Sequence, residues 1–215
     1  MKNYVPAAGR DWALPLYDPI LWLLGGNAVR RVLIDQAGIR PGHRVLEIGC
    51  GTGALLMAIH QAHPGAEIAG LDPDPKALAL ARRKATRAAA SIRLDQGFAD
   101  RMSYPEASFD RVLSCFMFHH LPADEKLTTL GEARRVLQPG GSFHMLDFGG
   151  GKTAPKKSVA RWLHAPDNQL EHNAEDRVLA LMREAGFADS RKVRDGAMLL
   201  GSLRVHYYQG SIEGV

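Results

Sequence analysis

Cysteine is almost absent from this chain: Cys50 and Cys115 are the two among 215 residues. Two such isolated thiols make neither a disulfide framework nor a metal-ligand cluster, so no metal is expected and a reducing compartment is. Long apolar runs are missing too. The strongest near the N-terminus, "PILWLL", is far too short to span a bilayer. The segment before it, "MKNYVPAAGRDW", has no apolar core of a secretory signal. These absences predict a soluble, cytoplasmic protein without a membrane span. A large charge excess is also lacking. The 27 Lys and Arg against 23 Asp and Glu leave a formal net charge of +4, which permits an anionic partner without requiring one. No repeat, low-complexity tract or long linker divides the sequence, so a single domain over 1–215 is expected, large enough to bury a full core.

What is present is alternation. Residues 11–37 read as helical, with breaks at Pro15, Pro19 and Gly25-Gly26. "RVLEI" is a short apolar strand, and Ala54 to His63 a helix closed by Pro64-Gly65. "AEIAGLD", "SIRL", "FDRVLSCF" and "SFHMLDF" read as further strands, and "PKALALARRKATRAAA" and "DEKLTTLGEARRVL" as the helices among them, the second stopped by "QPGG". Strands rich in Val, Ile and Leu that alternate with helices indicate a parallel sheet covered on both faces. The tail departs from this. After a helix over Asn173 to Ala185, "ADSRKV" and "GSLRVHYYQ" follow with no helix between them, which is most simply an antiparallel pair.

The loudest signal is "RVLEIGCGTGALL". Gly49, Gly51, Gly53 and Ala54 satisfy the dinucleotide pattern G-x-G-x-x-G/A, and Asp72 stands near the offset of a ribose-binding acid. That match allows an NAD-dependent dehydrogenase. Glu47 argues against it. A carboxylate two residues before the first glycine faces the place of a pyrophosphate, and like charges there repel by ~several kcal/mol at intermediate dielectric. A ligand with an ammonium group and no phosphate suits it better, and S-adenosylmethionine is such a ligand.

The ordered set "VLEIGCGTG", "GLDPDPKALALAR", "SFDRVLSCFMFHHL", "EARRVLQPGG" and "REAGF" resembles the class I S-adenosylmethionine-dependent methyltransferases, in particular the small-molecule group of ubiquinone/menaquinone biosynthesis. The resemblance covers roughly residues 15–190. It implies an α/β, Rossmann-like doubly wound sheet of seven strands, order 3-2-1-4-5-7-6, with strand seven antiparallel. It implies a cofactor site built from Tyr17, Glu47, Gly49, Cys50, Gly51, Thr52, Gly53, Asp72, Pro73, Gly97, Phe98, Ala99, Ser114, Cys115 and His119. In it Asp72 takes the ribose hydroxyls, Pro73 faces adenine, and Ser114 and Cys115 lie beside the methionine tail. One position departs from the family: Phe98 stands where an acid meets the adenine amino group, so either Phe98 packs on the ring or Asp100 substitutes.

Methyl transfer from a sulfonium is an in-line displacement with an excellent leaving group, so proximity and alignment dominate and a base is needed only when the acceptor must lose a proton. His119 and His120 are the candidates for that base, His119 the favoured one, with Asp147 on the same rim to orient it. The N-terminal region 1–40 and an insert over 148–170, which holds His164 and Asn168 with His172 just after it, are expected to cover the acceptor. The expected acceptor is a small molecule, methylated on O, N or activated C. Two further signals carry less. "DFGGGKT" lacks the leading glycine of a phosphate-binding loop, whose place is taken by Leu146. The basic run Arg82, Arg83, Lys84 and Arg87 reads as a solvated helix face, which makes a nucleic-acid methyltransferase the alternative rather than the expectation. A non-catalytic cofactor-binding protein is the remaining alternative. The sequence fixes no oligomeric state.

Overall fold

A computed structural model describes residues 14–149, 175–198 and 203–213 of the chain. Two helices come first, α1 (Leu14–Leu23) and α2 (Gly26–Ala37), followed by β1 (Arg44–Ile48), α3 (Ala54–Ala62), β2 (Glu67–Asp72), α4 (Pro75–Arg87) and β3 (Ile92–Gln96). The second half holds β4 (Phe109–Cys115), a 3-10 turn (Phe118–His120), α5 (Ala123–Val136), β5 (Leu137–Phe148), α6 (Glu175–Glu184), β6 (Ala188–Met198) and β7 (Leu203–Ser211).

The seven strands form one sheet of order β3-β2-β1-β4-β5-β7-β6. The pairs from β3 to β5 are parallel, and β7 runs antiparallel to both β5 and β6, as the helix-less tail predicts. Strand residues alternate between the two faces. Val45 and Leu113 therefore pack into one apolar layer with Leu21, Leu33 and Ile59 from α1, α2 and α3. Leu46 and Val112 pack into the other, with Leu130, Val136 and Met182 from α5 and α6. Burial of two complete faces is what the continuous apolar strands require.

Local chemistry sets the element ends. Asp74 caps α4 by accepting from the Lys76 N–H at 2.8 Å, and Pro75 fills the first helical position, where no N–H is needed. α2 ends in Gly38 at φ 56, and Gly25 at φ 90 precedes it. Two local expectations are corrected. Pro19 lies inside α1 instead of breaking it; the one N–H it lacks is outweighed by packing of the following turn, where Leu21 is fully buried. β5 begins at Leu137 rather than after the "QPGG" stretch, because Leu137 already pairs with Phe109 before the register shifts toward Arg111.

The order places β1 and β4 side by side, with chain leaving them toward opposite layers. Doubly wound sheets open a crevice at the carboxyl ends of such a strand pair. The helix α1, preceding the whole sheet, reaches this end through Asp18.

Candidate functional site

A cavity of about 180 Å³ occupies that crevice. Its floor is the glycine turn after β1. Gly49, Gly51 and Gly53 have φ of 68, 51 and 77, in the left-handed region that glycine alone enters without strain. The Gly49 and Cys50 N–H groups both donate to the Leu71 carbonyl, at 2.8 and 3.0 Å, which folds the turn across β2. Gly49, Cys50, Gly51 and Thr52 line the cavity. Gly53 does not; it backs onto α4, where an added Cβ would stand 2.9 Å from that of Ala81.

Two carboxylates define the electrostatics. Glu47, at the end of β1, is buried yet lines the cavity, and its Oε2 has no hydrogen-bond partner among the described residues. Burial pushes its pKa well up, against the pull of the Arg30 guanidinium. Asp72, at the end of β2, accepts from the Gly51 N–H at 2.7 Å and the Asp74 N–H at 2.9 Å. Burial raises its pKa to about 6, although both backbone N–H groups work the other way. Each Asp72 oxygen keeps a second lone pair for a ligand.

Pro73, Gly97, Phe98, Ala99 and Asp100 form the far wall, beyond Asp72. Gly97 is needed for closeness, since a Cβ there would meet Leu71 Cδ1 at 2.9 Å. The Arg101 guanidinium lies 4.9 Å from the Phe98 ring centroid, a cation–π contact that holds the ring from outside. At the other end Cys115, Phe116, Met117, Leu121 and Pro122 make a largely apolar wall, interrupted by His120 and Glu125.

The expectations for this wall are corrected in part. Ser114 is fully buried and does not line the cavity, whereas its neighbour Cys115 does. His119 is also fully buried and off the cavity; His120 lines it instead. The reason is Asp147, whose carboxylate holds the His119 ring at Nδ1 (2.6 Å) and the His119 backbone N–H (2.9 Å), turning that ring into the sheet end. Burial alone would raise the Asp147 pKa, but the His119 charge and the N–H groups of His119 and Phe148 hold it below the usual carboxylate range. The thiols stay protonated at neutral pH: burial pushes Cys115 up to about 12 and Cys50 well above its ordinary value, so neither is an activated nucleophile.

Sequence reasoning missed Arg30. It sits on α2, more than a strand away in sequence, but is buried against the cavity beside Glu47 and reaches Cys115. No motif marks it; a lone arginine on an amphipathic helix reads as a surface residue. The side chain of Tyr17 lies outside the described residues, as do Trp12, His164, Asn168 and His172. Among the described residues no cluster of His, Cys, Asp and Glu suits a metal, and no helix is long and apolar enough to cross a membrane.

Residues 45–141 match the model of a methyltransferase domain. A demethylmenaquinone methyltransferase of Thermus thermophilus is 37% identical over 137 residues, which are 62% of this chain and 61% of that protein. The chain thus spans about three-fifths of the length of the curated relatives it matches. Among solved structures, a SAM-dependent methyltransferase from Aquifex aeolicus superposes with TM-score 0.72 at 18% identity, over 94% of this chain and 98% of that one. A Haemonchus contortus phosphoethanolamine N-methyltransferase superposes with TM-score 0.76 at 15% identity, over 96% and 58%. At such identities these two report the fold alone. The glycine turn, Glu47 and Asp72 all lie within the stretch that matches the methyltransferase domain, and the chain resembles the S-adenosylmethionine-dependent methyltransferases in that stretch and in fold.

Proposed function

We propose that this protein transfers a methyl group from S-adenosylmethionine to a small, largely apolar acceptor. The observation that carries the reading is Glu47: a buried carboxylate on the cavity wall, one oxygen without a partner among the described residues, with the Arg30 guanidinium beside it. A buried carboxylate left so is costly, and a cationic ligand group removes the cost. Glu47 and Arg30 together suit the ammonium and carboxylate of an amino-acid tail. Asp72 suits a ribose, because its free lone pairs accept from two hydroxyls. Phe98, with Pro73 across the same end, offers apolar surface to a nucleobase. A dinucleotide fits poorly, because its pyrophosphate would meet Glu47.

Bound there, the cofactor supplies an electrophilic methyl group on a sulfonium. The chain's own residues hold the tail, ribose and base in register, and the apolar wall from Phe116 to Pro122 keeps water from the methyl end. That wall, and the relative named for demethylmenaquinone, support an acceptor with an apolar ring. The regions 1–40 and 148–170 are proposed as the cover over it. The free thiols Cys50 and Cys115 fit a reducing, cytoplasmic setting.

Titration calorimetry with S-adenosylhomocysteine and with NAD tests the reading. Micromolar binding of the first and none of the second is expected; the reverse order, or no binding of S-adenosylhomocysteine by folded protein, overturns it.

A further inference from the structure

The end of the cavity beyond Asp72 is walled by Leu71, Pro73, Gly97, Phe98, Ala99 and Asp100, so one aromatic ring and small apolar groups make up most of it. Several of its backbone acceptors are already engaged. The Leu71 carbonyl takes two N–H groups, from Gly49 at 2.8 Å and Cys50 at 3.0 Å, which uses both of its lone pairs. The Asp72 carbonyl takes the Gly97 N–H at 3.1 Å, and the Phe98 carbonyl takes the Arg101 N–H at 3.3 Å. The Pro73 carbonyl takes the Gln96 side-chain amide at 3.2 Å. These bonds build the wall itself.

Phe98 stands on a fixed stretch of chain. Gly97 before it has no Cβ, and one built there would meet Leu71 Cδ1 at 2.9 Å, so the segment after β3 lies tight against β2. The Arg101 guanidinium stands over the Phe98 ring, 4.9 Å from its centroid, while Arg101 takes no part in the cavity lining. A cation on one face of a ring is drawn to its negative quadrupole, and it lowers the repulsion that a second π-system meets at the other face.

Resting on the cofactor reading above, we infer that this site recognises the cofactor's base by stacking against Phe98 and not by hydrogen bonds to its exocyclic amino group. The amino group is then dispensable, and the ligand class is broader than adenosyl compounds: homocysteine nucleosides whose base is a flat purine without an amino donor fit the same cavity. Stacking tolerates such changes because every base has a π-face. A site built on hydrogen bonds behaves otherwise. An analogue that lacks the donor leaves its buried acceptor unpaired and is rejected steeply. Asp100 is the wall's side-chain acceptor for that second mode.

The test is calorimetry on the full chain with two probes. One is S-adenosylhomocysteine; the other is its analogue with unsubstituted purine in place of adenine, which lacks the amino group and keeps the ring nitrogens. Their dissociation constants are expected to agree within about threefold, because no hydrogen bond is forfeited. F98L keeps apolar bulk without the ring and is expected to weaken both probes alike, by roughly tenfold. F98Y keeps the ring and should stay within about threefold of the wild type. D100N should leave the ratio of the two constants unchanged. A purine analogue bound more than about threefold more weakly by the wild type overturns the inference. So does wild-type affinity for both probes in F98L, or an F98Y as weak as F98L. A ratio that D100N changes assigns the amino group to Asp100 and overturns it as well. If F98L does not fold, the two probes on the wild type decide. Failure of the wild type to bind either probe is a separate outcome and sinks the cofactor reading; binding of S-adenosylhomocysteine with rejection of the analogue leaves that reading standing and overturns this one alone.

Discussion

The Thr52 hydroxyl, in the glycine turn, donates to the carboxylate of Asp18 in α1, 2.8 Å from Oδ1 and 2.9 Å from Oδ2. Lys84 of α4 completes the knot: its ammonium pairs with the same carboxylate and donates to the Thr52 carbonyl at 2.8 Å. Three distant segments thus meet at the turn that forms the cavity floor, and the helix that precedes the sheet is tied to it by one side chain.

Loosening that knot should affect ligand and helix together. D18N keeps the shape but weakens the charge-assisted contacts, a loss of about 1–2 kcal/mol. The expected result is a roughly 5–20-fold rise in the dissociation constant of S-adenosylhomocysteine and faster proteolysis within α1. Calorimetry and limited proteolysis measure the two, and a change in neither would show the tie to be incidental.

Glu47 separates binding from stability. Its carboxylate is buried and one oxygen is without a partner among the described residues, so E47Q removes a desolvated charge from the ligand-free protein. Thermal stability should hold or rise, while S-adenosylhomocysteine affinity falls by at least about tenfold through loss of a charge-assisted hydrogen bond. A variant that loses stability and keeps affinity contradicts the role given to Glu47.

Asp72 predicts a pH dependence. Its pKa in the folded, ligand-free protein is raised to about 6, chiefly by burial. A raised folded pKa favours the protonated form, so Asp72 adds stability at low pH that is lost as pH rises through that value. Ribose hydroxyls donate to the ionised carboxylate, so ligand prefers the opposite state. Affinity should therefore weaken as pH falls below about 6, by up to tenfold per unit for one linked proton, with proton uptake on ligand release. Calorimetry in buffers of different ionisation enthalpy reads that proton; D72N should abolish its Asp72 share.

Gly49 should tolerate no side chain. It has φ 68, and an added Cβ would lie 2.1 Å from Met117 Cγ. G49A is expected to cost about 1–3 kcal/mol from backbone strain and overlap, lowering the melting temperature by several degrees. M117A in the G49A background should recover part of the loss, the part due to overlap rather than to φ.

Much of the architecture was legible because it follows from local pattern. Apolar strands alternating with helices give a parallel sheet, and the helix-less final pair gives its antiparallel edge. The glycine turn, Glu47 and Asp72 were legible too, since each belongs to a strand end whose neighbours in sequence are also its neighbours in space. Pro19 and the start of β5 were misread locally, because packing of Leu21 and the pairing of Leu137 with Phe109 are decided by residues elsewhere in the chain.

What the sequence determined by itself is therefore the set of parts: a doubly wound sheet, a left-handed glycine turn and two acids at strand ends. Only the tertiary structure decided which histidine of an adjacent pair meets the cavity. Asp147 lies on the next strand, and its parallel pairing beside β4 brings the carboxylate within 2.6 Å of His119, drawing that ring inward and leaving His120 on the wall. Arg30 was placed in the same way, by a helix laid over the sheet. Both are contacts between segments far apart in the chain, and a linear pattern carries no record of such distances.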